Sequence, residues 1–222
     1  MKKSIFVLLL AMVLLVSACG SSNADNQPAE QGSASAANGI INDGLLTLGT
    51  VEGSTYENAS LGYGCTLDGW VFADSAAIAE MNNIAANSMD ETLLDQLSNA
   101  DTFMDMYAEQ ADGMATVNVN VENLSKLEQA IVSEQDYVDL SYPNTEYAMS
   151  QAGYSNVQVE KVTVNLAGDE HPGMTITSDL QGIPVFQKQA TVMFGEYMAS
   201  VTVTTYYEDA TDNVFALFYK LG

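Results

Sequence analysis

The sequence of 222 residues predicts an α+β domain, an antiparallel sheet covered by helices on both faces as an α/β/α sandwich. Three observations carry that expectation. Beyond Asn156, four apolar-alternating runs follow one another with short glycine-containing links, the pattern of an antiparallel meander. Apolar residues at helical spacing occur before these runs and again near the C-terminus. Helices on either side of an antiparallel sheet in chain order suit a layered fold with helices over the sheet.

The first forty residues stand apart from that domain. Lys2 and Lys3 precede an apolar run from Ile5 to Val16, which is shorter than the roughly 20 residues a spanning helix needs. A basic start, a short apolar core and small residues before a cut describe a secretory signal over residues 1–18. Val16-Ser17-Ala18-Cys19 resembles the lipobox at which bacteria attach diacylglycerol to a cysteine sulfur, so Cys19 is the expected lipidation site and first mature residue. Chains of the palmitate kind add about 0.8 kcal/mol per buried methylene, and two of them make a stable anchor. Residues 19–39 are rich in Ser, Ala, Asn, Gln and Gly and read as a flexible tether of about 25 Å reach. The expected location is therefore the cell membrane, lipid-anchored at its extracytoplasmic face, with residues 40–222 forming a single domain.

Charge narrows the partners. The chain carries a net charge of −23 and no arginine. Cleavage after Ala18 removes Lys2 and Lys3, leaving four lysines against 29 acids, or −25. So strong a negative charge, with only four lysines to neutralise phosphates, argues against nucleic acid as a partner. The membrane is met through the lipid, and an envelope protein or a small ligand remains as the further partner.

Along the domain, Leu45–Val51 and Gly62–Leu67 read as short strands separated by Glu52-Gly53-Ser54. Asp74 or Ser75 caps a helix with Ile78, Met81 and Ala85 on one face, and Leu93, Leu94 and Leu97 mark a second helical piece from near Asp90. Thr102–Gln110 and Ala115–Glu122 flank Ala111-Asp112-Gly113-Met114 as a hairpin. Ser133-Glu134-Gln135-Asp136 resembles a capping box, opening a helix that Pro143 kinks or interrupts before Gly153 ends it. The meander runs through Val157–Leu166, Gly173–Asp179, Pro184–Phe194 and Tyr197–Tyr206. From about Thr211, Val214, Leu217, Phe218 and Leu221 fall at helical spacing.

Gly69-Trp70, the hairpin from Asp105-Met106-Tyr107-Ala108 through Val117-Asn118-Val119, the helix after Ser133-Glu134, and Leu166-Ala167-Gly168 leading into the meander resemble the PsbP-like fold. That α/β/α fold is shared by the PsbP subunit of photosystem II, the Ran-binding protein Mog and bacterial lipoproteins, and the resemblance covers most of residues 45–222. It implies a binding or accessory protein and transfers no catalytic residue, because fold alone does not set activity.

The chemistry-bearing residues are few. His171, the one histidine, precedes Pro172-Gly173 and reads as a turn residue. With Cys19 acylated, Cys65 is the only thiol, so no internal disulfide forms and zinc lacks ligands. Cys65 has no basic neighbours in sequence to make it a thiolate. Glu208-Asp209-Ala210-Thr211-Asp212-Asn213 and Asp90-Glu91 with Asp95 gather oxygens, but neither matches a calcium loop, and capping by Asp209 or Thr211 is the simpler use. No catalytic residue, metal site or cofactor is assigned. Tyr137, Tyr142 and Tyr147 along the Pro143 helix are the candidate partner-binding aromatics, with packing as the plainer role. Trp70 is read as core, because Val71 and Phe72 continue an apolar run. The expectation is a non-catalytic binding or accessory module of the cell envelope. The alternatives are a carboxylate-dependent envelope hydrolase or a structural envelope protein.

Overall fold

A computed structural model describes residues 46–82, 102–126 and 131–222. The signal, Cys19, the tether and the helical piece near Asp90 lie outside these residues. Eleven strands occur among those described, arranged in two antiparallel sheets.

The large sheet has seven strands in the order β4-β5-β6-β10-β9-β8-β7. They are β4 (Trp70–Phe72), β5 (Thr102–Gln110), β6 (Ala115–Asn123), β7 (Tyr154–Leu166), β8 (Asp169–Leu180), β9 (Ile183–Phe194) and β10 (Tyr197–Tyr206). Both expected supersecondary units are present, the β5–β6 hairpin and the β7–β10 meander. Ala167-Gly168 and Gln181-Gly182 connect the meander strands with φ of 54°, 94°, 53° and 87°. Two consecutive positive φ values suit the right-handed twist of the flanking strands, and a glycine at the second position adopts one freely.

The small sheet, β1-β2-β3-β11, comprises β1 (Thr50–Glu52), β2 (Thr55–Asn58), β3 (Tyr63–Thr66) and β11 (Phe218–Lys220). Its Tyr56, Tyr63, Cys65 and Phe218 join Val117, Val119, Val121, Val201 and Val203 of the large sheet in one buried cluster. Helix α2 (Glu134–Gln151) packs on the opposite face, where Met149 meets Ile176 and Val185. The short helices α1 (Ser75–Met81) and α3 (Thr211–Phe215) complete the described helices, with a 3-10 turn at Leu124–Lys126.

This arrangement overturns the expected sandwich with helices on both faces. The described residues are mostly antiparallel sheet, and a second sheet covers the face that a helix layer was expected to fill. The expected C-terminal helix is one cause. It stops at Phe215, and Phe218, Tyr219 and Lys220 instead pair with Cys65, Gly64 and Tyr63. The helical α/β/α architecture implied by the PsbP-like resemblance falls with it.

Local chemistry holds the layers in register. Ser133 caps α2 by accepting from Asp136 N, and Pro143 is accommodated inside the helix without ending it. Asp74 caps α1 by accepting from Ala77 N. Beyond α1, Asn82 donates to Met104 O and accepts from Met104 N, so one amide stands in for a strand partner. At that point β5 bulges, between Met104 and Met106. The Asp105 carboxylate on the bulge accepts from Gly49 N at 3.0 Å, the Tyr56 hydroxyl at 2.6 Å and Asn58 Nδ2 at 2.8 Å, tying the small sheet to the large one. Burial, partly offset by these donors, raises the Asp105 pKa from its usual value. Among the described residues no helix is long and apolar enough to cross a membrane.

Candidate functional site

In the three central strands β6, β10 and β9, side chains alternate between the two faces. Toward the small sheet they are apolar: Val117, Val119, Val121, Ala199, Val201, Val203, Ala190 and Val192. Toward α2 they are uncharged and polar: Asn118 and Asn120 on β6, Ser200, Thr202 and Thr204 on β10, and Gln187, Gln189 and Thr191 on β9. Every one of these polar residues is buried, between 0% and 8% exposed. Register sets them in ranks across the strands, Asn120 opposite Ser200 opposite Thr191, then Asn118 opposite Thr202 opposite Gln189.

A buried polar group normally finds a partner, since leaving it dry costs free energy. Some do here: Asn120 Nδ2 donates to Asn118 Oδ1 at 2.8 Å, and Gln187 Nε2 donates to Thr204 Oγ1 at 3.1 Å. Each contact uses one of the two amide hydrogens, and among the described residues the carbonyl oxygens of Asn120 and Gln187 meet no donor. Among the described residues the buried hydroxyls of Thr102, Ser178, Thr191 and Thr202 have no hydrogen-bond partner either. Register places all six residues on this same face. Tyr137 of α2 reaches into it, hydrogen-bonded with Glu122 and Ser200; burial and the Glu122 charge push its hydroxyl pKa well above the usual value.

A second constellation lies where β8 and β9 part. Their pairing stops at Gly173 opposite Ala190. Beyond that point Glu134, the first residue of α2, accepts from Met193 N at 2.9 Å and lies 3.1 Å from His171 Nδ1. His171 Nε2 is 3.0 Å from the Tyr63 hydroxyl, which donates to Asp169 Oδ2 at 2.7 Å, and Lys220 donates to Asp169 Oδ1 at 2.6 Å. The chain Glu134–His171–Tyr63–Asp169–Lys220 thus links α2, β8, β3 and β11. A tyrosine has one hydroxyl hydrogen. With it given to Asp169, the Tyr63 oxygen is an acceptor for His171, and a doubly protonated ring turns every contact into a hydrogen bond. Burial, then Asp169, raises the Tyr63 pKa above its usual value, so the hydroxyl is no ready nucleophile. Lys220 and Tyr63 hold the Asp169 carboxyl below the usual range.

The residues singled out from sequence are placed unevenly. Tyr137 is buried and serves the polar face rather than an outer surface. Tyr142 is partly buried, its hydroxyl donating to Val159 O at 3.3 Å with Lys161 Nζ over its ring. Tyr147 is 53% exposed, so the three tyrosines share no single patch. Cys65 is fully buried, and desolvation pushes its thiol pKa up to about 12, which removes it as a thiolate nucleophile. His171 is a buried strand residue, a correction to the turn reading. Trp70 is half-buried against the main core, while Val71 beside it is 64% exposed, so that strand is not wholly internal. Asp209 accepts from Thr211 N and its hydroxyl, and Asp212 pairs with Lys188. The Asp90-Glu91-Asp95 cluster lies outside the described residues. Among the described residues no group of three or more His, Cys, Asp or Glu is arranged to hold a metal ion.

The polar sheet face escaped sequence reading. The alternation of Val117, Val119 and Val121 with Asn118 and Asn120 was a visible signal, but burial of both sets was not. No protein-family model matches the chain, and no curated protein matches it.

Proposed function

We propose that this chain is a lipid-anchored, extracytoplasmic, non-catalytic binding or accessory module. The single observation that carries the reading is the basic start and short apolar run that end in Val16-Ser17-Ala18-Cys19. The absence of catalysis is supported by the protonated Cys65 and by His171, both of whose nitrogens face protein partners. The anchor is supported by Val16-Ser17-Ala18-Cys19 alone.

Native mass spectrometry of the full chain purified from its own envelope tests the binding reading. A small molecule or an envelope protein retained by the wild type is the expected result. A ligand-free spectrum, together with turnover of an envelope substrate abolished by His171→Ala, would overturn it. For the anchor, Cys19→Ser is expected to release the protein from the membrane fraction, and a mutant still extracted only by detergent would refute lipidation.

A further inference from the structure

We infer that the end of the large sheet at the β5–β6 turn, built around Tyr207, docks a protein partner through a segment that presents arginine or lysine beside apolar side chains. The proposal deepens the binding reading above and rests on it. Tyr207 follows directly on β10 and has a φ of 69°. Glu208 N donates to Tyr206 O at 2.9 Å, so Tyr207 is the centre of a γ-turn, a form that is rare and strained when the central φ is positive. Glycine takes that conformation at least cost, whereas a bulky side chain in it is an outlier. Burial does not account for the tyrosine either, because it is 59% exposed. The turn is firmly held all the same: Tyr207 N donates to Pro184 O at 2.9 Å, Thr205 Oγ1 donates to Glu208 O at 2.9 Å, and Ala210 N donates to Thr205 Oγ1 at 3.3 Å. A strained residue pinned by its surroundings, with its aromatic side chain turned to solvent, is a presented group, and one fixed before contact loses little freedom on binding.

Apolar and acidic groups surround it. Tyr206 N donates to Met114 O at 3.0 Å, which sets the exposed Met114 beside this turn. On β5 the exposed Glu109 lies opposite the exposed Val71 and two residues on from Tyr107, on the same face of the sheet. Burial first, and then the Glu109 charge, raise the pKa values of Tyr107 and Tyr206, so this carboxylate is within electrostatic reach of both hydroxyls. The surface therefore runs from Val71 and Glu109 past Met114 to Tyr206, Tyr207 and Glu208.

Charge selects the occupant. Beyond the signal the chain has four lysines and no arginine. Lys161, Lys188 and Lys220 are paired with Asp139, Asp212 and Asp169, and Lys126 lies past the opposite end of β6. Among the described residues neither Glu109 nor Glu208 is in an ion pair, so both carboxylates meet a partner's cations without breaking a bond of this chain. A second copy brings the same excess of acid and is repelled, as is an anionic lipid surface. Guanidinium and ammonium groups pair with carboxylates and also sit over tyrosine rings, so a basic segment with apolar neighbours satisfies the acids, the rings and the apolar side chains together.

The test titrates the full chain calorimetrically with a short acetylated peptide of alternating leucine and arginine, and with its leucine–serine and leucine–glutamate counterparts. The arginine peptide should bind, less tightly as salt rises, and the other two should not. Tyr207→Gly should weaken that binding roughly tenfold or more, the loss of an aromatic anchor, while melting at or above the wild type, because glycine relieves the turn. Glu109→Gln should weaken it about two- to fivefold, and Asp139→Asn, on α2, should leave it unchanged. Full affinity in Tyr207→Gly, or equal losses in Glu109→Gln and Asp139→Asn, would refute the surface and reduce the binding to general attraction by an acidic chain. Binding of the serine or glutamate peptide in place of the arginine one, or of no peptide, would overturn the basic partner. In each of these cases a partner retained in the native mass spectrum leaves the binding reading standing, whereas a ligand-free spectrum with His171-dependent turnover overturns both.

Discussion

Replacing Asp105 with Ala is expected to lower the unfolding free energy by about 3 to 5 kcal/mol at neutral pH. Three donors converge on this carboxylate: Gly49 N, Tyr56 Oη and Asn58 Nδ2. Tyr56 and Asn58 are each 1% exposed, so neither can turn to water when the acceptor goes. A hydrogen bond to a charged group contributes about 1.5 to 3 kcal/mol, but three on one acceptor do not add. The expected loss is therefore that of leaving three buried donors unpaired, about 1 to 3 kcal/mol each and less than additive, or about 3 to 5 kcal/mol together. Asp105→Asn keeps one acceptor oxygen and turns an amide toward donors, for about 1 to 3 kcal/mol. Urea unfolding followed through Trp70 fluorescence measures both, and a loss under about 1 kcal/mol for Asp105→Ala would refute the idea that this bulge clamps the two sheets. The pH dependence adds a second check. Burial raises the folded-state pKa of Asp105, so its contribution is fully present below the ordinary carboxyl pKa of about 3.9 and declines as pH rises through the folded value. The stability difference between wild type and Asp105→Asn should accordingly shrink as pH rises from 4. A difference that widens instead would mean that the three donors outweigh burial.

Three further outcomes follow from the packing. Cys65, fully buried with its thiol pushed up to about 12, should resist a disulfide reagent at pH 8 in the native state and react on unfolding; rapid native labelling would contradict its placement. Glu134→Ala strips the acceptor from Met193 N and the partner from His171, and should cost about 2 kcal/mol by urea titration, whereas the exposed Lys161–Asp139 pair can be broken by Asp139→Asn with no change in melting temperature. Phe218→Ala removes a buried ring from β11 and should cost about 3 to 4 kcal/mol; a near-neutral effect would show that β11 is not part of the core.

Much of the large sheet was legible because its signals are local. The β5–β6 hairpin follows from alternation on either side of Asp112-Gly113, the meander from glycine turns between long alternating runs, and the start of α2 from Ser133, whose hydroxyl caps the helix it precedes. The scarcity of histidine and cysteine, one and two residues, was equally plain. The small sheet was legible only in part: β3 and the start of β1 fall within the strands read over Gly62–Leu67 and Leu45–Val51, whereas β2 and β11 were missed. Strands of three or four residues carry too little of a period to separate them from a turn or a helix end, and Thr55–Asn58 and Phe218–Lys220 are ordered by pairing with β3 rather than by their own pattern. Gly173 misled in the same way: after Pro172 it reads as a turn, but its role is close approach, because a side chain there would collide with the backbone carbonyl of Gln189. That approach keeps His171 inside a strand and carries it to Glu134 and Tyr63, residues 37 and 108 positions away. The polar face shows the same division. A period of two states which side chains share a face, but whether Asn120, Thr191 and Thr202 meet solvent or are buried without partners depends on what packs above them, which only the tertiary structure decides.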